Sequence, residues 1–163
     1  EYFPKEYFDP EEQILMQASC ALFLLTRPYK FRGHTYMDAG LVDMIPIEQS
    51  IRQGNTKHVF ISTKEENYVR KPAPGWQIQL AKLMYPGNKT IRENLKIRHI
   101  NYQKQWQIVK ELEEQGNAIV LRPSADYGVT RYTHDKELLG RWFDLGYEDT
   151  KNRLDMIREF MEK

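Results

Sequence analysis

The sequence predicts an α/β layered domain with a mainly parallel sheet followed by C-terminal helices. Three observations carry this expectation. Two short apolar runs, KHVFIST at 57–63 and NAIVLRPS at 117–124, are bounded by turn residues and have the length of buried strands. Long helical patterns separate and follow these runs, which is the order that places helices over a parallel sheet. The bulk is that of a globular protein: 163 residues, 40% hydrophobic and 29% charged, enough to build a core.

The elements follow in order. Asp9-Pro10-Glu11-Glu12 predicts a helix start, with Asp9 as cap and Pro10 at the first helical position. That helix is expected to run to Ser19 or Cys20. Ala21 to Leu25 then leads towards Pro28 and is expected to be extended. YKFRGHTY predicts two short strands with a turn at Gly33, and Asp38 lies just past the second. Ile45-Pro46-Ile47 opens a short helix that ends at Gly54.

After the strand at 57–63, KEENYVRKPAPG predicts a polar loop. Helical patterning resumes from Trp76 to Met84 and stops at Pro86-Gly87. Ile91, Leu95, Tyr102, Trp106 and Val109 recur at helical steps, predicting one long helix over 89–115, ended by Gly116. Beyond the strand at 117–124, Thr133 is the expected cap of a helix carrying Leu138, Trp142 and Phe143. Gly146 is expected to break it, and a last helix carries Leu154, Ile157 and Phe160.

Two clear strands fall short of the roughly five or six usual in such a sheet. The chain also opens at Glu1, on a stretch that reads as a loop into a helix. Both favour a single domain over 1–163 that is a portion of a longer protein. Residues 1–63 would end a core, and 64–163 would form a helical and strand extension.

Composition narrows the function classes. The net charge of +1 gives no general pull towards nucleic acid. The single cysteine, Cys20, excludes an internal disulfide and fits a reducing compartment; its apolar setting predicts a buried, structural thiol. No apolar run approaches the ~18 residues of a membrane span.

Among motifs, the four serines, Ser19, Ser50, Ser62 and Ser124, all lie outside a G-x-S-x-G elbow, so no nucleophile is expected within the chain. There is no Gly-rich phosphate loop, and His34, His58, His99 and His134 are scattered without metal-ligand spacing, so no cofactor and no metal are expected. KTIRENLKIRHINYQKQW interleaves cations and aromatics, a pattern used for RNA or acidic lipid; the bland reading, a solvated helix face, is preferred. Asp38-Ala39-Gly40 is ordinary turn chemistry when taken alone.

Its surroundings change that reading. Ala18-Ser19, Tyr36, Asp38, Gly40, Ile45-Pro46-Ile47, Gly54 and Thr63 follow one another in the order of the later half of bacterial patatin-like phospholipases. Arg122-Pro123, Leu138-Leu139 and Leu145-Gly146-Tyr147 extend the resemblance over almost the whole chain. The resemblance implies a patatin-like α/β/α domain in which Asp38 is the acid of a Ser–Asp dyad within an Asp38-Ala39-Gly40 motif. The serine elbow and the oxyanion loop would lie upstream of Glu1, leaving this chain inactive by itself.

It further implies hydrolysis of lipid or small acyl esters, a place in lipid metabolism and a bacterial cytoplasmic setting; the near-neutral charge leaves no nucleic-acid partner expected. Peripheral membrane contact is a further association it allows, and a missing N-terminal half would expose a sheet edge that invites a dimer. Ala39 stands where the family usually has Gly; a positive φ there would cost roughly 1 kcal/mol. The rival expectation is a non-catalytic α/β interaction or assembly module, in which the segment from Trp76 to Met84 and the long helix form a lid or partner surface.

Overall fold

The computed structural model describes residues 1–7, 13–130 and 132–162. Mixed helix and sheet emerge, with ten helices and strands of regular type: α1 (Ile14–Ser19), β1 (Tyr29–Phe31), β2 (His34–Tyr36), α2 (Ile47–Arg52), β3 (His58–Ile61), α3 (Gly75–Met84), α4 (Lys89–Glu114), β4 (Ala118–Leu121), α5 (Lys136–Lys151) and α6 (Leu154–Glu162). Among the described residues the strands form two separate two-stranded sheets, β1–β2 antiparallel and β3–β4 parallel. The parallel sheet is thus smaller than the layered sheet expected. The capping sequence Asp9 to Glu12 lies outside the described residues.

The chain divides into two compact units, each assembled from two stretches: Glu1–Ile45 with Lys71–Tyr102, and Pro46–Arg70 with Gln103–Lys163.

In the first unit, β1 and β2 pair in the register Tyr29 to Tyr36 and Phe31 to His34. The two residues between them, Arg32 and Gly33, both have positive φ (47° and 80°), the twist a tight two-residue hairpin requires. Phe3 packs on Phe31 and Tyr36, with ring centroids 5.8 and 5.5 Å apart. Leu41, Ala81, Ile91 and Leu95 form the buried cluster, with Phe23, Met37, Ile78 and Tyr85 packed against it. Arg92 closes the end of α3 by donating to the carbonyls of Tyr85 and Pro86.

The stretch 21–25 is not extended. Leu25 and Thr26 donate backbone N–H groups to Leu22 O, and Leu24 sits at φ 70°. The turn lets Phe23 reach the cluster, so tertiary burial overrides the local pattern. Cys20 is exposed rather than buried, because it caps α1 two residues past the buried Ala18.

In the second unit, β3 and β4 align His58 with Ala118 and Ile61 with Leu121. All four residues of β4 are buried, as expected. β3 is buried only in part: Val59 and Ile61 are 43% and 73% exposed. The long helix α4 contributes buried Gln105 and Val109 to this unit. Gly116 ends it at φ 75°, with Asn117 N–H on Leu112 O and Gly116 N–H on Glu113 O, the paired bonds of a Schellman cap.

Two boundary expectations are corrected. Asp135, not Thr133, caps α5: its Oδ1 accepts from the N–H groups of Glu137 and Leu138 at 3.0 and 3.1 Å. Thr133 Oγ1 instead accepts from Thr130 N–H, closing the preceding turn. Gly146 does not break α5, which runs through it to Lys151. An interior glycine costs a helix only about 1 kcal/mol, which the flanking residues outweigh.

Candidate functional site

The first unit sets Asp38 at the end of β2 and the start of a single 3₁₀ turn, Ala39–Leu41. Its neighbours hold it on both sides, since Met37 and Leu41 are packed into the buried cluster. Its own backbone is bonded twice: Asp38 N–H donates to Ala21 O, and Asp38 O accepts from Leu41 N–H, each at 3.1 Å. The carboxylate then folds over the turn, and Oδ1 accepts from Gly40 N–H at 2.6 Å. The second oxygen, Oδ2, has no hydrogen bond among the described residues, and Asp38 is half-buried. One oxygen is bonded and the other is not.

Gly40 is what permits this pose. A Cβ built there would lie 2.9 Å from Asp38 Oδ1, 3.5 Å from Met44 Cγ and 3.8 Å from Arg98 Nη2. The carboxylate therefore occupies the space a side chain would need. Arg98, from α4, brings a guanidinium to the same side of the turn. Sequence reasoning missed it, because 58 residues separate it from Gly40 and its helical pattern marks it only as one cation among several.

Ala39 carries none of the strain expected of it. It is exposed and its φ is not positive; the positive values among non-glycine residues of the described chain fall at Gln13, Leu24 and Arg32. The turn is a right-handed 3₁₀ turn, which any L residue adopts. Nearby, Tyr36 donates its hydroxyl to Glu1 Oε2 at 2.6 Å, and that carboxylate holds the phenol above its usual pKa range.

The second unit brings together a serine and a histidine that the sequence leaves apart. Ser50 Oγ lies 3.1 Å from Nδ1 of His58, which is 7% exposed. The same hydroxyl also accepts from Asn55 Nδ2 at 3.1 Å, and Asn55 reaches Ser50 O as well. This is a clamp joining α2 to β3 rather than a nucleophile pair, because the hydroxyl is engaged from two sides within a helix. Ser50→Ala is expected to lower unfolding stability by about 1–2 kcal/mol, because it removes the hydroxyl's bonds to the buried His58 and to Asn55. Urea unfolding followed by circular dichroism reads this directly; no change in midpoint would show that the clamp contributes nothing.

A cleft of about 170 Å³ opens past the ends of β3 and β4, walled by Ile61, Leu121, Pro123 and Trp142. Several of its polar neighbours are already committed. Asp149 accepts from Ser124 N–H at 2.8 Å, and Arg153 donates to Val120 O at 2.6 Å. Arg122 lies over the Trp106 ring and pairs with Glu66 and Glu113 at 3.3 and 3.4 Å. Among the described residues no cluster of three or more His, Cys, Asp or Glu is placed to hold a metal ion, and no helix is long and apolar enough to cross a membrane.

Comparison with known proteins adds one match. A family described as a domain of unknown function (DUF6363) matches residues 88–162, from the start of α4 to the end of α6. The Asp38 turn lies outside that stretch. No curated protein and no solved structure matches the chain.

Proposed function

We propose that this chain supplies the acid of a Ser–Asp dyad in a patatin-like acyl ester hydrolase. The observation that carries the reading is the Asp38 carboxylate, pinned through Oδ1 by Gly40 N–H at 2.6 Å with Oδ2 left open. A carboxylate is a weak base for a hydroxyl, so it must be held still within hydrogen-bond reach of it. A strand-end turn anchored by Met37 and Leu41 meets that need. The exposed Val59 and Ile61 on β3 also favour a sheet continued or covered by another segment, since parallel strands are normally covered on both faces.

In this reading a serine outside the chain attacks the ester carbonyl while its proton passes to Asp38 Oδ2. The tetrahedral intermediate collapses and the alcohol leaves with that proton; water then attacks the acyl-enzyme as Asp38 takes its proton, and Asp38 returns that proton to the serine oxygen as the acid departs. Ser19, Ser50, Ser62 and Ser124 take no part, and the donors for the oxyanion come from elsewhere in the protein. The chain by itself does not turn over esters.

The test is covalent trapping. The intact protein is treated with a fluorophosphonate and the labelled peptide is mapped. The expected label falls on a serine other than those four, and chain 1–163 alone stays unlabelled. A label on one of the four, or esterase activity in the isolated chain that survives Asp38→Asn, sinks the proposal.

A further inference from the structure

We propose that α3 is a docking surface for an anionic lipid bilayer, with Trp76 and Leu83 entering the interface and the surrounding lysines meeting the headgroups.

The helix has two apolar faces, where a surface helix needs one. The inward face carries Ala81, fully buried, and Ile78 packed on the cluster of the first unit. The outward face carries Trp76 and Leu83, two turns apart and therefore on one side, 61% and 78% exposed. Met84 beside them is 48% exposed. Single exposed apolar residues are ordinary, but a tryptophan and a leucine stacked on one face of a ten-residue helix form a surface that water does not favour.

Charge says what covers it. Between residues 71 and 102, Lys71, Lys82, Lys89, Arg92, Lys96 and Arg98 stand against one acid, Glu93, although the whole chain carries only +1. Arg92 is occupied by carbonyls at the end of α3, and Arg98 is turned towards Gly40 and Met44. The four lysines are exposed. Lys71 precedes α3, Lys82 lies in its last turn and Lys89 opens α4. Trp76 and Leu83 exposed on one side of α3, with Lys82 on the same helix and Lys71 and Lys89 flanking it in sequence, pair an apolar anchor with cations, and tryptophan favours the headgroup level of a bilayer. Single-stranded nucleic acid needs stacking rings along a basic groove; Leu83 and Met84 offer none.

Leu41, from the turn bearing Asp38, shares its buried cluster with Ala81. The docking face therefore lies on the far side of α3 from that turn, roughly one helix diameter, about 10 Å, away. The inference does not need ester hydrolysis to be correct, because binding is read separately from turnover.

The experiment is cosedimentation of the purified protein with phosphatidylcholine vesicles, with and without phosphatidylglycerol. Expected are binding to the anionic vesicles at least tenfold tighter than to the zwitterionic ones, and loss of about fivefold for each of Lys82→Gln and Lys89→Gln. Trp76→Ala with Leu83→Ala is expected to weaken binding at least tenfold with the far-ultraviolet circular dichroism unchanged. Brominated lipid should quench tryptophan emission in the parent and not in Trp76→Phe. Absence of vesicle binding at low salt overturns the proposal, as does a double variant that binds like the parent. So does RNA displacing the protein from vesicles through the same residues, or a protein dimer abolished by the double variant.

Discussion

Asp38→Asn is expected to lower acyl-ester turnover by about 10²–10⁴-fold, the range general base catalysis supplies. The substitution separates chemistry from structure. Asparagine has nearly the same shape, and its side-chain oxygen can still accept from Gly40 N–H, the bond that Oδ1 makes at 2.6 Å. The backbone bonds of residue 38 to Ala21 and Leu41 are untouched. The turn should therefore persist, with the unfolding midpoint close to that of the parent. What is lost is the open oxygen as a proton acceptor. In the proposed dyad the carboxylate would act on the serine proton and not on substrate binding, so the effect should fall on kcat more than on KM. The measurement is steady-state hydrolysis of a chromogenic acyl ester by the intact protein and its variant, beside thermal unfolding of both. Equal turnover in the two proteins would return Asp38 to the role of a turn residue.

The parts of this fold legible in sequence are those fixed by local chemistry. Gly116 ends α4 because a left-handed residue closes the Schellman cap, and the helical spacing of Ile91, Leu95 and Val109 marks the buried line of that helix. The hairpin at Arg32-Gly33 and the position of Asp38 after it follow from the same kind of signal. What sequence does not carry is competition between neighbours. Asp135 and Thr133 are both capping residues, and the choice between them depends on which one the preceding loop engages; Thr130 takes Thr133. Cys20 has an apolar neighbourhood in sequence, but the helix turns it outward. The outward Trp76 and Leu83 look like core in a hydrophobicity pattern, since periodicity cannot tell which of two apolar faces finds a partner. Ser50 and His58 meet only because a turn at Gly54 folds β3 back on α2.

The same distinction between fixed geometry and adjustable side chains sets the second large effect. With Asp38 as the proposed dyad acid, Gly40→Ala is expected to cut turnover by about 10²-fold, the cost of displacing a catalytic group by about 1 Å. It should do so with only a modest loss of stability. The new methyl would fall 2.9 Å from Asp38 Oδ1, closer than carbon and oxygen can approach. The backbone at residue 40 does not have the positive φ that would penalise alanine, and the other neighbours, Met44 Cγ and Arg98 Nη2, stand at 3.5 and 3.8 Å, ordinary contact. The carboxylate is thus the atom group that moves, since it ends a side chain while the turn is anchored by Leu41 in the buried cluster. Moving it breaks the bond to Gly40 N–H, worth about 1 kcal/mol. Ala39→Gly is the matched control one residue away. Ala39 is exposed in a right-handed turn, so glycine there costs about 0.5–1 kcal/mol of chain entropy and leaves the carboxylate in place. Turnover should then stay within about twofold of the parent while stability falls by an amount similar to that in Gly40→Ala. If the two variants lose activity together, the loss follows stability and the pose of Asp38 has no catalytic meaning. If activity falls in Gly40→Ala alone, the glycine is there to make room for a carboxylate that must not move.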